Sequence, residues 1–72
     1  MAMQWTSTRS SNIARVGYDR ETQELQIEFA NGGLYSYDGV SASEADALVS
    51  SSSPGRYFAS VIRNSYSARK LS

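Results

Sequence analysis

Cations interleaved with aromatic rings are the part of this chain best equipped for chemistry. Arg56, Tyr57, Arg63, Tyr66, Arg69 and Lys70 fall in its last third, and Tyr35 and Tyr37 lie two apart near its middle. Guanidinium and ammonium groups can track phosphates while rings stack on unpaired bases, so the set points to RNA or single-stranded nucleic acid. Core tyrosines plus solvated arginines would give the same composition, and spacing alone does not separate the two. Arg56 and Arg63 are seven apart, about two helical turns. On a helix they would share nearly one side, roughly 10 Å from each other. Arg56 would also sit in the first helical turn, against the dipole, at a cost of a few tenths of a kcal/mol. An anion or carboxylate beside it would offset that cost.

Enzyme chemistry finds little support. The chain has no His and no Cys, so the commonest general base, the thiolate nucleophile and the commonest metal ligands are all missing. Glu24 and Glu28 share one strand face, but acid–base work needs a desolvated cleft that drives two pKa values apart. Glu44 and Asp46 are explained by helix capping and the helix dipole. A nucleophilic Ser would have only Lys70 or a carboxylate as base. Gly32-Gly33 joins two strands and lacks the helix and Lys of a phosphate loop. The chain is expected to be non-enzymatic and to need no cofactor or metal.

The elements that must position these residues start from a hairpin. Leu25, Ile27 and Phe29 alternate with Glu24, Gln26 and Glu28, the period of a strand with one apolar face. Asn31-Gly32-Gly33 supplies the positive-φ residues a tight turn demands. A second strand follows, with Tyr35 and Tyr37 on one face, read as a half-buried packing stripe more readily than as a stacking platform. Ile13 to Tyr18 reads as the strand before the hairpin. Ile13 is out of phase with Val16, which suggests a bulge or an edge cover. Gly17 hints at a bulge or a close backbone approach, and Asp19 opens a polar turn. Three antiparallel strands result.

Two short helices are expected to cover the apolar face. Ser41-Ala42-Ser43-Glu44 and Ser43-Glu44-Ala45-Asp46 both match a capping box, and Ala45, Leu48 and Val49 form one stripe. Ser53-Pro54 reads as the cap and first position of a second helix running to about Tyr66. Its stripe is Phe58 and Ile62 with Tyr57 and Val61. Leu25, Ile27, Phe29, Leu48, Phe58 and Ile62 should be buried. Trp5 reads as a lid on the core. The organisation is then a loose segment at 1–9, one α+β domain at 10–66 and a basic tail at 67–72.

Seventy-two residues suit one small domain of marginal stability. Residues 1–38 hold three Arg against five acids, net −2, and residues 39–72 hold four cations against two acids, net +2. The asymmetry permits an anionic partner but is well short of a strongly basic profile. No apolar run approaches a membrane span, and Met1 to Trp5 lacks the pattern of a secretory signal. With no cysteine, the chain suits a reducing, cytoplasmic setting.

Ser11-Asn12-Ile13, Val16-Gly17-Tyr18-Asp19, Leu25-Gln26-Ile27-Glu28-Phe29, Tyr35-Ser36-Tyr37, Gly55-Arg56-Tyr57-Phe58 and Ile62-Arg63 together resemble the KTSC domain. That module is named for its place at the C-terminus of some lysyl-tRNA synthetases and also stands alone in bacterial and phage proteins. The likeness covers roughly Ser10 to Tyr66. Ser41 stands where the family commonly has Pro, and Ala59 where it commonly has Asn. The resemblance implies a small α+β module and, from the synthetase context, RNA binding. The expected function is therefore a binding module for RNA or single-stranded nucleic acid. Its candidate contacts are Tyr35, Tyr37, Arg56, Tyr57, Arg63, Arg69 and Lys70. The alternative is a protein–protein module acting through an exposed strand edge or the Arg-lined helix.

Overall fold

A computed structural model of the chain describes residues 3–72. Five strands form one antiparallel sheet in sequence order: β1 (Gln4–Ser7), β2 (Ile13–Asp19), β3 (Glu24–Phe29), β4 (Leu34–Tyr37) and β5 (Ala68–Lys70). Helix α1 (Ala42–Ser50) and a short α2 (Pro54–Tyr57) lie between β4 and β5, and α2 runs into a π-helical turn at Phe58–Ile62. The fold is α+β, as expected, but the sheet has five strands rather than three. Both additions come from segments expected to be loose. β1 lies within 1–9, and β5 lies within the basic tail. Met1 and Ala2, part of the expected loose segment and of the signal-peptide argument, lie outside the described residues.

The central meander follows its sequence logic. At the first turn Asp19 Oδ1 accepts hydrogen bonds from the Glu21 and Thr22 amides, at 2.9 and 3.3 Å. At the second, Gly32 has φ +97° and Asn31 Oδ1 accepts from the Gly33 amide at 3.0 Å. Ile13 faces Phe29 and Arg15 faces Glu28, so Ala14 is an extra residue in β2. That bulge lets Ile13 and Val16 both reach the core despite their spacing.

Register decides the faces. Tyr37 lies opposite Leu25 and Tyr35 opposite Ile27, so both tyrosines share the core face. Leu25, Ile27, Leu48 and Ile62 are fully buried and Phe58 nearly so, whereas Phe29 is only half-buried because it sits at the rim. Each such aliphatic burial contributes about 1.5–3 kcal/mol. Ser41 caps α1, its Oγ accepting from the Glu44 amide, so of the two stretches that match a capping box the first supplies the cap, without the reciprocal bond from the Glu44 side chain. Glu44's carboxylate is taken by the Tyr66 hydroxyl, which donates to it and ties the chain after the π turn to α1.

Three expectations are corrected. Ser53 makes no side-chain cap, although Pro54 does occupy the first helical position. The last helix ends at Ile62, short of Tyr66, and its second half is π-helical. Trp5 is no lid on the core. Its place opposite Gly17 puts it on the other face of the sheet, 37% exposed, under the Arg15 guanidinium at 4.2 Å. Gly17 makes this possible: a Cβ there would lie 2.9 Å from Trp5 Cδ2 and from Met3 Cγ.

Candidate nucleic-acid interface

The helix-covered face is not closed at one end. Between the Asn31–Gly33 turn, β4, β5 and the π turn lies an open cleft of about 690 Å³. Its floor is aromatic. Phe29 meets Tyr35 edge-to-face at 5.6 Å, and Phe58 meets Phe29 and Tyr37 the same way, both at 5.4 Å. Two cations line the cleft beside this floor. The π turn ends at Arg63, and β5 places Lys70 directly opposite Tyr35 on the same face. Neither makes an ion pair among the described residues, and no Asp or Glu side chain lines the cleft.

Tyr37 is 4% exposed, so its ring is core and only its edge can serve the cleft. Burial pushes its hydroxyl above the usual phenol range; the Tyr35 phenol adds to this and Arg63 partly offsets it. The hydroxyl therefore stays protonated and available as a donor at neutral pH. Tyr35 is half-buried and lines the cleft more openly.

Of the seven residues singled out from the sequence, the fold brings four together: Tyr35, Tyr37, Arg63 and Lys70. Arg69, next to Lys70 in a strand, points to the opposite face. There its guanidinium lies 3.4 Å from Asp38 and 3.9 Å from Glu24. Tyr57 is half-buried against the core. Arg56 lies in a neighbouring groove with Arg9. The expected alignment of Arg56 with Arg63 is undone by the π turn, whose wider winding rotates residues seven apart out of line.

Sequence reasoning passed over three contributors: the Asn31–Gly33 turn as a wall, the exposed edges of Phe29 and Phe58 as a floor, and Arg9. The first two were read only as turn and core. Arg9 fell in a stretch expected to be loose, although its neighbours Ser10-Ser11-Asn12 are hydrogen-bonding residues rather than linker residues. Among the described residues, no group of three or more carboxylates is placed to hold a metal ion, and no helix is long and apolar enough to cross a membrane.

Comparison with known proteins agrees with this architecture. The KTSC domain model matches residues 9–66. A crystal structure of a KTSC domain protein from Yersinia pestis superposes with a TM-score of 0.93 at 37% identity, covering 99% of this chain and 100% of that one. An uncharacterized protein of the bacterium Stutzerimonas stutzeri is 38% identical over 61 residues, 85% of this chain and 86% of its own. The chain belongs to the KTSC domain family.

Proposed function

We propose that this KTSC chain is a small non-enzymatic module that binds RNA or another single-stranded nucleic acid in the cleft. The observation that carries the reading is the pair of unpartnered cations, Arg63 and Lys70, beside an aromatic floor with no acidic side chain in the lining. Phosphates fit the cations, and a base fits against Tyr35 and the exposed ring edges. A π turn supports the reading, because such turns are rare and frequently mark functional sites.

The test is fluorescence anisotropy with a labelled tRNA and a single-stranded oligomer. An Arg63→Glu, Lys70→Glu double variant is expected to lose tenfold or more in affinity. With about two to four phosphate contacts, the log–log salt slope should be about −1.5 to −3. Binding unchanged in the double variant, or none at low salt and high micromolar protein, refutes the reading. A hydrolase panel with Mg²⁺ and Mn²⁺ should show no turnover; activity lost on one acid-to-amide change would refute the non-enzymatic part.

One observation favours a second reading, a protein partner at a strand edge. β1 is an outer strand whose four residues, Gln4-Trp5-Thr6-Ser7, are all exposed and include no charge and no Pro. Natural sheets usually blunt such edges. A partner retained after nuclease treatment and lost in Trp5→Lys would place function there instead.

A further inference from the structure

The seven cations of the chain divide cleanly by location. Arg15, Arg20 and Arg69 each pair with a carboxylate: Arg15 with Glu28, Arg20 with Asp46, and Arg69 with Asp38 and Glu24. Arg9, Arg56, Arg63 and Lys70 have no ion pair among the described residues, and each lines one of two neighbouring grooves. Arg63 and Lys70 belong to the cleft. Arg9 and Arg56 line a second groove of about 510 Å³, beside Ser10, Asn12 and Ser53.

The two grooves are joined. A trough of about 380 Å³ shares Phe29, Phe58 and Arg63 with the cleft, and Asn12, Gly55 and Ala59 with the second groove. No Asp or Glu side chain lines any of the three. Gly55 sits where the trough and the second groove meet: a Cβ there would stand 3.0 Å from Ser10 Oγ, which would have to give by a few tenths of an ångström. The result is a path with cations at both ends and an apolar middle.

We infer that Arg9 and Arg56 form a second phosphate subsite and that the ligand of the cleft is a strand several nucleotides long, laid along this path. The inference rests on the nucleic-acid reading above. Arg56 and Arg63 line different grooves, which meet only through the trough. A mononucleotide presents its phosphate at one point and can reach one end only. A strand reaches both, with the bases between crossing the Phe29 and Phe58 edges. Four unpaired cations lining the joined grooves also account for how a chain of zero net charge attracts a polyanion: the other three are neutralised locally.

The experiment uses the full chain with uridine 5′-monophosphate and a 5′-phosphorylated oligouridylate of ten nucleotides, the affinities being taken from NMR amide-shift titrations. An Arg9→Glu, Arg56→Glu double variant should lose tenfold or more for the ten-mer and less than twofold for the mononucleotide. With two fewer phosphate contacts, arginine-to-glutamine changes at the same sites should make the ten-mer salt slope shallower by about 1.4. Arg20→Glu, outside the path, should change neither affinity. Ten-mer affinity unaffected by the Arg9, Arg56 variant, equal losses at both lengths, or an equal loss in Arg20→Glu would overturn the second subsite. The Arg63→Glu, Lys70→Glu variant separates the two ideas. If it weakens both ligands while the Arg9, Arg56 variant weakens neither, the cleft stands and only the second subsite falls. If it weakens neither, the cleft reading falls first.

Discussion

The two faces of the sheet use the same kinds of residue for opposite ends. On the outer face, Arg15 is held between Glu28 and the Trp5 ring, and Arg69 reaches Ser36, Asp38 and Glu24. Cations there are spent on fastening the short edge strands β1 and β5 to the meander. On the helix face, Arg63 and Lys70 make no ion pair among the described residues and line an aromatic cleft. Neighbouring Arg69 and Lys70 show the difference within one strand, since alternation sends one to each face. A cation's availability for a ligand is therefore set by which face its register gives it and whether an acid waits there.

The largest expected effect lies in the helix-face core. By size alone a domain of this length has about 4–11 kcal/mol of stability. Phe58→Ala removes the ring that contacts both Phe29 and Tyr37 and should cost about 3–5 kcal/mol. Ile27→Ala, at a fully buried site in the central strand, should cost about 2–5 kcal/mol. Urea unfolding followed by circular dichroism measures both. A Phe58→Ala protein as stable as wild type would mean the helices do not seal this face.

Next comes Tyr37, where core and cleft meet. Tyr37→Ala should cost several kcal/mol and so confound any loss of binding with loss of stability. Tyr37→Phe should hold stability within about 1 kcal/mol while removing the donor at the cleft. Unchanged ligand affinity in the Phe variant would assign the residue wholly to packing.

Outer-face packing is tested by Gly17→Ala. The added methyl would lie 2.9 Å from Trp5 and Met3 side-chain atoms, so the indole must lift. Overpacking of this kind costs about 1–3 kcal/mol. Trp5 fluorescence should shift to the red, and β1 amides should exchange faster. A variant of wild-type stability with an unshifted spectrum would show that β1 does not depend on this contact.

These comparisons also show what the sequence could and could not reveal. The central hairpin, the Asp19 turn, the Ile13 irregularity and the Ser41 cap were legible because each is local: period, turn chemistry and cap geometry act within a few residues. β1 and β5 were not, because strands of four and three exposed residues carry no apolar alternation; they form by satisfying the backbone groups of a neighbouring edge. The face of Tyr35 and Tyr37 required the register with Ile27 and Leu25, which is a tertiary fact. The candidate site was half legible. Arg63 and Lys70 could be proposed from composition, but excluding Arg69 required knowing that it is strand, and adding Arg9 required knowing that the 8–12 loop lies beside Gly55.

The smallest expected effect concerns how the outer face holds β5, and through it Lys70. Glu24 Oε2 accepts from Ser36 Oγ at 2.7 Å and from Gln26 Nε2 at 2.9 Å, with Arg69 3.9 Å away. The two hydrogen bonds hold its carboxyl below the ordinary value of 4.5, against a smaller opposing push from burial and with a minor contribution from Arg69. A folded pKa below the unfolded one means that the unfolded chain takes up the proton first. The contribution is therefore complete above the unfolded value and lost as pH falls through the folded one. Glu24→Gln should lower the thermal midpoint slightly at pH 7, and the gap from wild type should close as pH falls below 4.5. Amide exchange across Ala68–Lys70 should quicken in the variant at neutral pH, since Arg69 loses one of its two carboxylates. A gap that stays constant into strong acid would show that the hydrogen bonds alone, and not the charge of Glu24, fasten β5. Lys70 would then keep its place opposite Tyr35 at any pH the fold survives.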